Sequence, residues 1–279
     1  TVPAGPFAIA STGFRHYPMD AYLIDKYEVT NRQYKEFVDK GGYQNHAYWK
    51  ERFTQDGREL SWEEATRLFR DATGRPGPST WEGGMYPAGQ DDYPVRGVSW
   101  YEAAAYAEFA GKSLPSLHHW HKAALVWLAP VIVPLSNFGG AGPARVGEYR
   151  GLGRFGTYDM AGNVKEWCWN EARGGTRFIL GGAWDDERVN FGEFDRRPPL
   201  DRSSRNGFRC VRYATPQPAY FTDPQMQESR DYGNERPVDD ATFEIYRSMF
   251  FYDRTGLNAA IESVDDSAEA WRKEKVTFR

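Results

Sequence analysis

The sequence predicts a loop-rich α+β globule whose core is built from aromatic rings. Three observations carry this. Aromatic residues make up 16 % of 279 residues, with ten Trp, seventeen Tyr and seventeen Phe, so rings rather than aliphatic strands must fill the interior. The chain combines 28 glycines with a low mean hydropathy, which favours turns over long regular elements. Its strand-like and helix-like stretches are short, and several helix starts carry complete capping signals.

Taken in order, Phe7-Ala8-Ile9-Ala10 and Ala21–Val29 read as strands. Thr30-Asn31-Arg32-Gln33 is a capping box for a helix with Tyr34, Phe37 and Val38 on its apolar face, ended by Gly41-Gly42. Ser61-Trp62-Glu63-Glu64 repeats the signal, with Ala65, Leu68 and Phe69 expected on one side. Residues 74–94 hold Pro76, Pro78, Pro87 and Pro94, an ordered loop in which Trp81, Met85 and Tyr86 need burial. Ser99 and Glu102 box the clearest helix, which Gly111 stops. Ser116 caps the next, with Leu117, Trp120, Ala124 and Leu125 on one face. Residues 130–154 read as loop, and 177–184 and 207–213 as strands. The first domain is expected to close at Tyr213. A Pro-rich linker over 214–239 packs on it, and 240–279 is a helix (Phe243, Tyr246, Met249 and Phe250 on one face) plus the first strand of a truncated following domain.

Composition also excludes functions. A net charge of −4 leaves no basic footprint for nucleic acid. No stretch approaches the ~20 apolar residues of a membrane span. The start at Thr1-Val2-Pro3 has no secretory signal and reads as an imposed boundary, which leaves the compartment open between cytoplasm and the extracytoplasmic part of a tethered protein. Two cysteines, Cys168 and Cys210, do not make a disulfide framework, and their apolar neighbours suit free buried thiols.

One stretch fits neither the helix nor the strand period: Phe155-Gly156-Thr157-Tyr158-Asp159-Met160-Ala161-Gly162-Asn163-Val164-Lys165-Glu166-Trp167. Such a turn either ties off a core or holds a hard cation. Asp159 and Glu166, with the carbonyls of Gly162 and Val164, form an all-oxygen set that suits calcium. Elsewhere, His118 and His121 stand three apart and share a helix face, which suits a transition metal or simple packing. Residues 185–205 are dense in both charges and read as a salt-bridged loop or a ligand-facing surface. No nucleophile elbow or phosphate-binding glycine motif in a strand–turn–helix context is present.

These pieces together resemble the sulfatase-modifying-factor family, whose best-known member is the formylglycine-generating enzyme. The residues that carry it are Tyr27–Tyr34, Pro94-Val95 with Val98-Ser99-Trp100, Leu114-Pro115-Ser116, Gly156–Trp167, Gly181-Gly182-Ala183-Trp184 and Gly207-Phe208-Arg209. The resemblance implies a C-type-lectin-like fold with short twisted antiparallel sheets and two main helices. It implies calcium at Asp159, Gly162, Val164 and Glu166, and a second calcium site starting at Asn137 and Phe138. The family's oxidases bind copper(I) through two cysteines, and soft thiolates are what that ion prefers. Those positions here are Asp186 and Phe191, so copper and formylglycine synthesis are not expected.

The expectation is therefore a non-catalytic module with structural calcium and a ligand cleft beside Trp184, Asp186 and Arg188. Its ligand would be a peptide, a glycan or a small molecule. The alternative is an oxygen- or metal-dependent oxidoreductase with a non-cysteine site. Residues 238–279 resemble the segment joining such modules to an α/β-hydrolase domain in large bacterial proteins that begin with a serine/threonine kinase, so both domains are expected in the same polypeptide.

Overall fold

The computed structural model describes residues 1–9, 16–225, 233, 235–251, 256, 258–267 and 271–278. Ala10 of the first expected strand, and Tyr252-Asp253-Arg254 and Leu257 of the tail motif, lie outside them. The chain forms two compact units, Thr1–Glu228 and Ser229–Arg279.

In the first unit, β1 (Gly5–Phe7) pairs antiparallel with β2 (Tyr17–Met19). Strand β3 (Tyr22–Ile24) precedes α1 (Asn31–Asp39). A small hairpin follows, β4 (Thr54–Gln55) and β5 (Arg58–Glu59), then α2 (Trp62–Leu68), α3 (Trp100–Phe109), α4 (Leu117–Ala124) and α5 (Ala129–Ile132). The main sheet comes from β6 (Lys165–Ala172), β7 (Thr176–Leu180), β8 (Arg196–Arg197) and β9 (Asn206–Gly207), in the order β8-β7-β6-β9. Strand β10 (Val211–Tyr213) returns to pair with β3, and a one-turn helix α6 (Ala219–Thr222) ends the unit.

The helix starts follow the local signals. Thr30, Ser61 and Ser99 each accept a bond from the N3 amide while Gln33, Glu64 and Glu102 reach back to the cap amide. Ser116 accepts from the His119 amide. Helices α3 and α4 both contact β6, so one sheet carries the two principal helices. Rings fill the space between. One core cluster holds Tyr34, Phe37, Trp81, Trp100, Trp167 and Phe208, all essentially inaccessible. A second surrounds α4 with Trp120, Phe178, Phe191 and Phe221.

Several elements differ from the sequence pattern. The strand expected over residues 21–29 is only three residues long, because β3 has β10 as its partner and the chain then turns to Thr30. The expected strand at 207–213 breaks at Phe208–Cys210, which connects β9 in the main sheet to β10 in the other. Strand β7 stops at Leu180, since Gly181 and Gly182 take positive φ (95° and 77°). The expected loop over 130–154 starts with helix: Pro130 sits in the first turn of α5, where its missing N–H costs nothing. Leu68 is 41 % exposed rather than packed beside Ala65 and Phe69, and Met85 is 51 % exposed.

Residues 214–225 stay with the first unit. Phe221 is buried, and the Asn170 side chain on β6 donates to the carbonyls of Phe221 and Asp223. In the second unit, α7 (Asp240–Ser248) has an Asp239 cap, and β11 (Ala260–Asp265) pairs with β12 (Lys273–Thr277) as a hairpin. Phe243, Tyr246, Met249 and Phe250 are all more than half exposed. No helix among the described residues is long and apolar enough to cross a membrane.

Candidate functional site

The irregular stretch from Phe155 lies where the chain enters the main sheet. Asp159 and Asn163 both adopt positive φ, and Gly162 sits at φ +76°. A Cβ at Gly162 would lie 2.2 Å from the Asn137 carbonyl oxygen, which is backbone and cannot step aside. Gly162→Ala is therefore expected to cost at least ~2 kcal/mol, summing left-handed strain and the clash, measurable by urea unfolding.

Three carboxylates are buried around this turn: Glu28 (1 % exposed), Asp159 (4 %) and Glu166 (0 %). One guanidinium, Arg209 (0 %), faces them. Arg209 donates from Nε to Glu166 Oε2 at 2.7 Å and from Nη2 to Oε1 at 2.6 Å. Trp120 Nε1 donates to the same Oε2 at 2.7 Å. Glu28 accepts from the Asn163 side-chain amide at 2.7 Å and from the Val164 backbone at 3.1 Å. The Gly147 amide donates to Asp159 Oδ2 at 2.6 Å. Burial pushes the Glu28 carboxyl well above the usual range, and the charges of Asp159 and Glu166 push it further. Burial likewise pushes Asp159 up to about 6, against the Gly147 amide and Arg209.

This geometry tests the calcium expectation. The cluster carries three acids against one fixed cation. The buried carbonyls of Gly162 and Val164 accept no hydrogen bond among the described residues. Both features fit a hard cation held by oxygen. Glu166 would have to share its oxygens with Arg209 and Trp120, which a carboxylate's four lone-pair directions permit. No group of three or more His, Cys, Asp or Glu side chains among the described residues is set to hold a metal, so a cation here must draw on carbonyls. Asn137, expected to open a second site, spends its amide on the Gly142 carbonyl and the Asn163 side chain, closing the 137–144 loop. Phe138 packs its ring against Gly162 and Gly182.

The three expected ligand residues do not converge. Trp184 is 9 % exposed, and the Arg96 guanidinium lies 5.7 Å from its ring centre. Arg188 is exposed, opening the 3-10 turn Arg188–Gly192. Asp186 alone lines a polar cleft of about 560 Å³, together with Lys165, Asn190, Glu193, Asp195 and Arg205 among others. Lys165, only 6 % exposed at its side chain, bridges Asp195 at 2.7 Å and Asp186 at 3.1 Å. Burial raises the Asp186 carboxyl, but the Ala183 amide and Lys165 outweigh it and hold it below the usual range. Phe191 is a core residue at 1 % exposure.

Sequence reasoning passed over Glu28, Lys165, Asp195 and Arg209 as site residues. Arg209, Glu28 and Lys165 carried a visible flag as members of motifs, and Asp195 as part of the charged run 185–205. Cys168 and Cys210 are free, buried, and their thiols are pushed up by burial, away from the cleft. His118, His119 and His121 are all buried, packing against rings rather than meeting at a metal-sized point.

The sulfatase-modifying factor enzyme 1-like domain matches residues 1–126 and 138–214. A serine/threonine-protein kinase, pkn1 of Chlamydia pneumoniae, is 29 % identical over 226 residues, 70 % of this chain and 33 % of that one. The hercynine oxygenase of Mycolicibacterium smegmatis is 30 % identical over 200 residues, 60 % of this chain and 44 % of that one. The bovine inactive C-alpha-formylglycine-generating enzyme 2 is 26 % identical over 246 residues, 71 % of this chain and 79 % of that one. The crystal structure of CarF superposes with a TM-score of 0.52 at 18 % identity, covering 77 % of this chain and 97 % of that one, which speaks to the fold. The chain thus spans about a third of the length of the kinase relative. With a match over residues 1–126 and 138–214 that takes in the first core cluster, most of the second and the 155–167 turn, the chain belongs to the sulfatase-modifying factor enzyme 1-like family.

Proposed function

We propose that this chain is a non-catalytic formylglycine-generating-enzyme-like module that binds a polar ligand in the Lys165–Asp186–Asp195 cleft. The observation that carries the reading is the state of the two positions where the family's oxidases place cysteines. Asp186 is locked by Lys165 and the Ala183 amide, and Phe191 is core. Neither offers a soft ligand for copper(I). The cleft wall holds both signs of charge, which suits a peptide, glycan or small polar molecule better than an apolar one. The kinase relatives support a place within a larger bacterial signalling protein. The test is direct. The purified chain, incubated with copper(I), oxygen and a Cys-containing sulfatase peptide, should return the peptide unchanged. Formylglycine in the product would sink the reading.

A structural calcium ion at Asp159, Gly162, Val164 and Glu166 belongs to the same proposal. It is supported by the excess of buried carboxylate and the unbonded carbonyls. The residues would hold the ion as a cross-link between the turn and the start of β6. Adding calcium to chelator-treated protein should raise Tm by roughly 5–10 °C, since a ligand at a hundred times its Kd contributes ~2.7 kcal/mol. An unchanged melting curve at millimolar calcium would refute it.

The similarity to hercynine oxygenase favours one second reading, an oxidoreductase with a non-cysteine metal site. Metal analysis separates the two: calcium alone supports the module, and stoichiometric iron supports the enzyme.

A further inference from the structure

A second cavity, of about 450 Å³, lies within the first unit and shares no lining residue with the polar cleft. Its volume falls in the range of small-molecule sites. The walls are the end of α3, the turn from Gly111 to Leu114, Trp169 of β6 and the segment that follows β10. Ala104 and Ala107 stand three apart on α3 and both line it, so two small side chains leave the room that larger ones would fill. Leu114 and Phe221, each at 2 % exposure or less, complete an apolar floor, with half-buried Trp169 beside them.

The charges at its rim are unequal in their commitments. Lys50 reaches Glu108, and Lys112 reaches Asp25 at 2.6 Å. Glu51 also lines the cavity and makes no ion pair among the described residues. Arg212 is exposed and makes no ion pair among the described residues. Its Nη2 lies 4.0 Å from the point a Cβ of Gly111 would occupy, over a turn where Gly111 takes φ +63°. A chamber with an apolar floor and an exposed, unpaired guanidinium at its mouth has a definite complement.

We propose that this cavity binds a small apolar acid, its hydrocarbon part on Ala104, Ala107, Leu114, Trp169 and Phe221 and its anionic head on Arg212. The binding is non-covalent and separate from the polar cleft. A guanidinium offers an anion a planar, charge-assisted pair of hydrogen bonds.

The probe is 8-anilinonaphthalene-1-sulfonate, titrated into the full chain and read by fluorescence, with its neutral analogue N-phenyl-1-naphthylamine alongside. Wild type should show a saturable component with one site per chain. Arg212→Glu should weaken it at least tenfold, while Arg212→Lys should weaken it less. Ala104→Leu, filling the floor, should also weaken it, with circular dichroism checking the fold. Arg196→Glu, in the polar cleft, should leave it unchanged. Because Arg212 is exposed, its variants report on binding and not on folding. The proposal is overturned if Arg212→Glu binds as tightly as wild type, if the neutral analogue competes with equal strength, or if Arg196→Glu reproduces the loss.

Discussion

Arg209→Met is expected to cost the first unit about 3–5 kcal/mol, the scale of breaking one side of a buried ion pair. Arg209 and Glu166 are both fully inaccessible, and two bonds join them at 2.6 and 2.7 Å. The same guanidinium also donates to the carbonyls of Tyr158 at 2.8 Å, Asp25 at 3.1 Å and Lys26 at 3.3 Å. Met keeps the hydrocarbon stem but supplies none of these donors. It leaves the Glu166 carboxylate beside Asp159 and Glu28 with no fixed cation, and it leaves the carbonyls of Tyr158 and Asp25 to find partners, while that of Lys26 keeps the Tyr158 amide. Against a total stability of ~5–15 kcal/mol, such a loss removes a large share of the margin. Urea unfolding followed by near-UV circular dichroism should show the midpoint falling with the slope unchanged. The double variant Arg209→Met with Glu166→Met removes both charges and should recover at least ~1 kcal/mol over the single variant. It should also lose the calcium-dependent rise in Tm. A single variant as stable as wild type would show that Arg209 is not what balances this cluster.

The pair that supports this prediction was invisible in the sequence, although both residues sit in recognisable motifs. Arg209 and Glu166 lie 43 residues apart, and Glu28 and Asn163 lie 135 apart. Only the fold brings them together. What was legible was local. A capping box is a three-residue interaction, so Thr30–Gln33, Ser61–Glu64 and Ser99–Glu102 announced three helix starts without help from the rest of the chain. Strand extent was not legible in the same way, because a strand ends where its partner ends. Residues 207–213 read as one strand but serve two sheets. The turn at 155–167 was legible as an oddity because its positive-φ positions need glycine or asparagine-like residues. The cleft was half legible. Asp186 stood out by position, whereas Lys165 was one unmarked member of the irregular 155–167 stretch until the fold placed it between two carboxylates.

His118→Leu is expected to stabilise the protein, and more strongly in acid. The imidazole is fully buried, with Tyr17 of β2 against it at 5.3 Å edge-on and Phe221 of α6 at 5.3 Å. Neither ring nitrogen has a hydrogen-bond partner among the described residues. An unpaired buried polar group costs about 1–3 kcal/mol, so an apolar side chain of similar volume should gain about that at pH 7. Burial also lowers the His118 pKa to about 4. Between that value and the unfolded value near 6.5, the unfolded chain binds the proton and the folded chain does not. Stability from this group is therefore present above pH 6.5 and drains away as pH falls toward 4, by up to ~1.4 kcal/mol per pH unit. From pH 6.5 to 5 that is about 2 kcal/mol. His119 and His121, lowered to about 3 mainly by burial and then by the charge of His118, act in the same direction. Lys122, on the same helix, adds to the depression at His119. Asp159, raised to about 6, acts in the opposite direction over its own range, so the wild-type profile alone mixes the two signs. The difference between wild type and His118→Leu isolates one histidine. Unfolding free energies of the two proteins at pH 7 and pH 5 should diverge, with the variant ahead by about 1–3 kcal/mol at the higher pH and by roughly 2 more at the lower. Parallel profiles would mean that His118 finds a proton partner when charged, and the acid sensitivity would then belong to its two neighbours.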